Sequence, residues 1–269
     1  MGNRSLKGKR VVVVGASTGI GHEMARLAIQ EGARVVMAAR RIDKLEELAK
    51  EAGGGVAVSV DIRNPADCEQ LAQRVKAELG SVDLMLCTVG YAPLRMFPEA
   101  TVEDWNVVLN TNVIGVHQLV KAMLPVLEPG AIASIMSSET VSQARTALGI
   151  YAASKAALET SLTAWRIEYP QVRFSCVAVG GTFPTGFSAD FDPELLISAM
   201  QDWARHGLVT EGLMTTDEVA EVLLGTYAAG LDYPGINLEH LLVRSPSPVV
   251  GSSAHLEADA VDNIAAART

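Results

Sequence analysis

The chain alternates between short apolar runs and longer stretches whose apolar residues recur every three or four positions. Residues 11–14 are all valine, too short a run for a helix and suited to a strand buried on both faces. From Ile20 onward, Ile20, Met24, Leu27 and Ala28 fall at helical steps. The same alternation then repeats. Strands are expected at Arg34–Ala39, 56–60, Val82–Cys87, 131–136 and 172–179, with a last one at His240–Val243. Helices are expected at Ile42–Ala52, from Asn64-Pro65, and at 101–127, 149–169 and 216–229. Asn64 offers a cap with proline at the first helical position, and Thr101 with Asp104 resembles a capping box. Thr216 is the candidate cap of the last helix.

Strands alternating with helices imply one α/β domain: a parallel sheet with helices on both faces, joined by right-handed crossovers. No linker or repeat interrupts residues 1–245. Within them, 182–212 is rich in Phe, Pro and Gly and follows the sixth strand, which makes it a candidate lid. Residues 246–269 lack periodicity and read as a mobile tail or an interaction arm. Ligands of such sheets bind at the carboxyl ends of the strands. Here those ends follow Val14, Ala39, Val60, Cys87, Met136 and Val179.

Composition narrows the partners. A chain of 269 residues with a formal charge of −9 is poorly suited to nucleic acid or an anionic membrane. Any phosphate-bearing ligand therefore needs a local basic patch. Cys68, Cys87 and Cys176 are odd in number and widely spaced, which suits a reducing cytoplasm and offers no disulfide framework. With the histidines also lacking ligand spacing, no metal is expected. The basic N-terminal residues precede an apolar run that stops at Gly15, too short for a signal peptide, and no apolar run is expected to cross a bilayer.

The strand ends carry the candidate chemistry. After the first come Gly15, Gly19 and Gly21, where a strand, a glycine turn and a helix make a seat for phosphate. Their G-x3-G-x-G spacing is not the G-x-G-x-x-G dinucleotide fingerprint, and glycine loops also serve as plain turns. After the fifth strand come Ser137 and Ser138, then Tyr151 and Lys155 four apart on one helix face. A tyrosine with a reference pKa of about 10 needs help to exchange protons near neutrality, and an adjacent ammonium supplies part of it. Tyr91/Arg95 and Tyr169/Arg173 repeat the spacing, so the pair alone is also compatible with an ordinary helix surface.

Taken together and in order, Gly15-Ala-Ser-Thr-Gly-Ile-Gly21, Asn112, Ser138 and Tyr151-x-x-x-Lys155 closely resemble the short-chain dehydrogenase/reductase family. The likeness implies a single Rossmann-like, doubly wound domain with a parallel sheet of about seven strands. It implies Tyr151 as acid/base, Lys155 as ribose ligand and depressor of the tyrosine pKa, Ser138 as the group orienting the substrate oxygen, and Asn112 as holder of a relay water. It places the cofactor against Gly15, Ser17, Thr18, Gly19, Ile20 and Gly21 in the first turn. Asp61 and Ile62 would lie by the adenine, Gly90 beside the ribose, and Gly181, Thr182 and Thr185 beside the nicotinamide. Homotetramers or homodimers acting on a small carbonyl or alcohol are implied as well. Two segments depart from the family pattern: Cys87-Thr88-Val89-Gly90 replaces Asn-Asn-Ala-Gly, and Gly180-Gly181 replaces Pro-Gly.

Cofactor preference is written at the second strand end. NAD enzymes usually place an acid there for the ribose 2′-hydroxyl, whereas this chain reads Arg40-Arg41. NADP(H) is therefore expected over NAD(H). The expected activity is reduction of a ketone, apolar if the lid closes on it. The alternatives are reduction of 3-oxoacyl groups on a carrier, and a catalytically silent NADP(H)-binding sensor.

Overall fold

The computed structural model describes residues 5–246. Strand β1 (Arg10–Val14) lies inside a seven-stranded sheet with β2 (Arg34–Ala39), β3 (Val56–Ser59), β4 (Val82–Cys87), β5 (Leu127–Ser138), β6 (Arg173–Val179) and β9 (His240–Val243). Every pairing is parallel, and the order is β3-β2-β1-β4-β5-β6-β9. The order reverses between β1 and β4, which opens a crevice at their carboxyl ends. The expected α/β, Rossmann-like architecture is what the chain adopts.

The valine run shows why. Val12 and Val14 belong to the core on one face, Val11 and Val13 to the core on the other, and all four are at most 1% exposed. Each buried side chain contributes about 1.5–3 kcal/mol of hydrophobic free energy. One face is covered by α3 (Pro65–Leu79), α5 (Val116–Met123) and α6 (Gly149–Glu168). The other is covered by α1 (Gly19–Gln30), α2 (Ile42–Ala52) and α8 (Thr216–Asp232). A third cluster joins Ala92, Leu94, Leu148 and Tyr151 to Phe191, Leu196 and Trp203, outside the sheet's carboxyl edge.

The helix expected over 101–127 is not continuous. It divides into α4 (Val102–Leu109), a π-turn at Asn110–Gly115 and α5, and the Thr101/Asp104 capping box opens it as expected. Inside the π-turn, Asn112 is fully buried and bonded to the backbone of Tyr91, a long-range contact that periodicity does not encode. The stretch Val102–Val126 is also long and apolar enough to span a membrane by length and composition, with a mean hydropathy of 1.2, contrary to expectation. Its apolar face is already committed, because Val116, Leu119, Val120 and Met123 lie in the core against α3.

Other boundaries shift. Strand β5 begins at Leu127, ahead of the expected start, after a register change between Val82 and Leu84. Thr215, not Thr216, caps α8, in a reciprocal box with Glu218. The candidate lid holds α7 (Pro193–Arg205), and its first residues form β7 (Thr182–Phe183), paired with β8 (Met214–Thr215). The tail expected at 246–269 lies, beyond residue 246, outside the described residues.

Candidate active site

A cavity of about 840 Å³ runs along the carboxyl edge of the sheet from Arg40 to Trp203. At one end, β1 turns into α1. Gly15 sits at φ 94°, and a Cβ there would lie 2.5 Å from Thr88 Oγ1 and 3.2 Å from Val89 N. A Cβ on Gly21 would meet the Gly15 carbonyl at 2.5 Å, and Gly19 adopts φ 62°. Thr18 precedes α1 but makes no side-chain cap, so the first N–H groups of the helix face the cavity uncapped. Instead, Ser17 Oγ and Thr18 Oγ1 each accept from Arg41 Nη2 at 3.3 Å. Arg40 is exposed at the same edge. A backbone cradle with uncapped helical donors and two arginines fits a dinucleotide bearing phosphate.

Asp61 and Ile62 line this end, at the end of β3. Hydrogen bonding from Arg63, 2.5 Å away, holds the Asp61 carboxyl below its usual range, and Ile62 is buried against Gly115. The Cys87-Thr88-Val89-Gly90 departure also finds its reason. Thr88 Oγ1 donates to the carbonyls of Val14 and Gly15 at 3.2 and 3.3 Å, so its hydroxyl ties β4 to the glycine turn. Gly90 lets Lys155 approach, since a Cβ would stand 3.3 Å from Nζ.

At the other end, β5 delivers adjacent serines to opposite sides of the strand. Ser137 Oγ donates to Glu159 at 2.6 Å, while Ser138 lines the cavity together with Tyr151. Ser138 Oγ also accepts from the Thr140 amide and hydroxyl at 3.2 and 3.0 Å. Tyr151 and Lys155 rise from the first turns of α6 and are 7% and 1% exposed.

Their electrostatics differ from expectation. Burial raises the Tyr151 pKa to about 12, against lowering by the Ser138 hydrogen bond and the Arg145 charge. Burial also brings Lys155 down to about 8. The lysine ammonium donates to the Met136 carbonyl at 2.8 Å and the Val89 carbonyl at 3.4 Å, and stands 5.8 Å from the centre of the Tyr151 ring. Desolvation outweighs the cations, so the phenol keeps its proton at neutral pH. Arg145 is the cation whose charge lowers the phenol pKa against burial.

Asn112 is anchored across the fold. Its Nδ2 donates to Tyr91 O at 2.8 Å and Ser154 Oγ at 2.9 Å, while Oδ1 accepts from Tyr91 N at 2.8 Å. Both side-chain donors are taken, so the side chain clamps the chain after β4.

Sequence reasoning missed Glu139 and Arg145. Glu139 is 5% exposed, paired with Arg145 and, at 3.2 Å, with Arg244 Nε. Arg145 Nη2 also donates to the lid carbonyl of Leu208 at 3.0 Å, and its guanidinium lies 5.6 Å over Trp203. Ala147, at φ 63°, turns the chain from Arg145 into α6. The signal was Gly180: a Cβ there would stand 3.0 Å from Glu139 Oε2, so a proline would crowd this carboxylate. Gly181 is equally confined, its Cβ position 2.9 Å from Leu213. Thr182 Oγ1 donates to Gly180 O at 3.0 Å, and Thr185 packs on Gly19 as it caps the next turn. Phe187 lies 5.0 Å from the Tyr151 ring, and Phe191, Leu196, Met200 and Trp203 line the same space.

With the fold and the cavity described, sequence comparison identifies the family. The chain matches the short chain dehydrogenase family over residues 9–195 and belongs to it. It is 32% identical over 163 residues to oxidoreductase asL5 of Sarocladium schorii, covering 60% of this chain and 66% of that protein. It is 36% identical over 118 residues to the NADP-dependent 3-hydroxy acid dehydrogenase YdfG of Shigella flexneri, covering 43% and 47%. The chain thus spans about half to two thirds of these relatives' own length. The solved alcohol dehydrogenase of Thermococcus sibiricus, complexed with 5-hydroxy-NADP, superposes with a TM-score of 0.75 at 25% identity, over 91% of this chain and 100% of that one.

Proposed function

We propose that this protein is an NADP(H)-dependent reductase of small ketones, working in reverse as a secondary-alcohol dehydrogenase. The observation that carries the reading is the buried Tyr151 lining, with Ser138 and Lys155, the apolar end of a cavity whose other end presents Arg40 and Arg41. Bound NADPH supplies the hydride that reaches the carbonyl carbon. Ser138 holds the carbonyl oxygen beside the phenol, and Tyr151 Oη passes its proton to that oxygen as negative charge develops. Lys155 holds the ribose hydroxyls from the floor of the cavity. Asn112 fixes the segment carrying Gly90, so the cavity wall keeps its shape. A phenol that stays protonated favours reduction near neutrality. The NADP dependence of YdfG and the 5-hydroxy-NADP bound to the Thermococcus enzyme support the NADP(H) preference.

The apolar lid supports a bulky, uncharged substrate, and the likeness to the family supports a homodimer or homotetramer. A carbonyl panel assayed with NADPH and NADH tests the reading. Turnover of cyclic or medium-chain ketones with NADPH preferred is the expected result. Tight NADPH binding without turnover of any carbonyl would instead make the protein a cofactor sensor.

A further inference from the structure

On the face of the sheet beneath α6, at the edge formed by β6 and β9, three donors from distant parts of the chain converge. Cys176 Sγ, His240 and a Glu159 carboxylate oxygen all lie within 4.8 Å of one another. Cys176 and His240 are direct partners in the parallel β6–β9 register, and Glu159 reaches them from α6 above. We propose that these three side chains form a divalent-metal site of the zinc class, separate from the catalytic groups, with solvent as fourth ligand.

The donor set carries the choice of metal. Thiolate and imidazole with one carboxylate suit zinc, whereas magnesium and calcium take oxygen donors. Zinc bonds of about 2.0–2.3 Å place tetrahedral ligands about 3.3–3.8 Å apart. His240 Nε2 and Glu159 Oε2 are already 3.9 Å apart, too long for a hydrogen bond and close to that edge length. The movement still required falls mainly on the His240 side chain, which is 53% exposed, against 22% for Glu159. Cys176, 2% exposed in the strand, is the fixed point.

Two features make this more than proximity. Ser137 Oγ donates to Glu159 Oε1 at 2.6 Å and leaves Oε2 turned toward His240, which is how outer hydrogen bonds orient a metal-binding carboxylate. The exposed imidazole at the sheet edge also gives an ion a path to a thiol that is otherwise enclosed. No linear spacing reveals the site, because each ligand comes from a different element.

Cobalt(II) is the probe, titrated into the purified full chain with and without competing zinc. One equivalent should bind with a thiolate-to-cobalt charge-transfer band, and zinc should bleach that band. Cys176→Ser should abolish the band. His240→Ala, at an exposed position that leaves the fold intact by circular dichroism, should weaken binding by at least about 100-fold, the upper end of the loss seen for outer partners alone. Cys68→Ser, on the buried face of α3, should change nothing. Absence of cobalt binding, a spectrum without the thiolate band, or wild-type affinity in His240→Ala would overturn the proposal.

Discussion

The two ends of the cavity are built in different ways. The nucleotide end is made by backbone: Gly15 N bonds Ala38 O at 2.8 Å, Thr88 N bonds Val14 O at 2.9 Å, and glycines leave room for close approach. Its charged groups, Arg40, Arg41 and Arg63, stand at the water-exposed rim. The other end is made by side chains from far apart: Glu139 after β5, Arg145 before α6, Arg244 after β9 and Trp203 from α7, which line the cavity together with a buried Tyr151. Exposed charges act through contact with a ligand and are screened by solvent, whereas enclosed groups have their own protonation set by burial. Under the proposed function, the first end would select the cofactor and the second would set the chemistry.

The sharpest test of that division is Tyr151→Phe. It should lower turnover by at least ~100-fold, the scale of losing a positioned general acid, while NADPH binding followed by fluorescence stays close to wild type. Near-normal turnover in this variant would remove the phenol from the mechanism. The converse experiment acts at the nucleotide end. Arg40→Asp should cost about 10- to 150-fold in kcat/KM with NADPH, the equivalent of a charged hydrogen bond of about 1.5–3 kcal/mol, and much less with NADH. An unchanged preference would mean that Arg40 does not meet the cofactor.

The pH profile distinguishes the buried groups. Lys155 titrates down at about 8 and Tyr151 up at about 12, both because burial disfavours the charged form. The lysine is a cation below its pKa and is lost as a ligand as pH rises through it. The kcat/KM for reduction should thus be level at lower pH and fall about tenfold per unit above about 8, as the pKa of the free enzyme dictates. Lys155→Arg should remove that limb, since guanidinium stays charged. A profile flat to pH 10 in the wild type would contradict an enclosed lysine. The smallest effect concerns the lid. Each methylene added to a ketone should raise kcat/KM about fourfold until the cavity fills, at ~0.8 kcal/mol per buried group. A flat series, or preference for charged substrates, would show that Phe187, Leu196 and Trp203 pack only on the protein.

Legibility divides along the same line. The valine run, the glycine turn and the Thr101/Asp104 box are local, and each stands where the residue pattern puts it. Arg40 and Arg41 do reach the cavity, because the end of a strand fixes the next residues in space. The π-turn at Asn112 was invisible, since its apolar spacing passes for plain helix until Tyr91 arrives from across the fold. The lid was half legible: Leu196 and Trp203 show helical spacing in the sequence, but their place beside Tyr151 depends on packing.

By itself, the sequence determined the alternation of strands and helices and the glycine turn, and its resemblance to the family singled out Ser138, Tyr151 and Lys155. The first two follow from periodicity and from the steric demands of glycine, which act between near neighbours. Only the tertiary structure decided that Tyr151 is buried and its pKa thereby raised, that the Asn112 side chain bonds Tyr91, and that Glu139 stands against Gly180. Those outcomes depend on desolvation and on charge–charge distances between residues far apart in the chain, and neither quantity exists until the chain has folded.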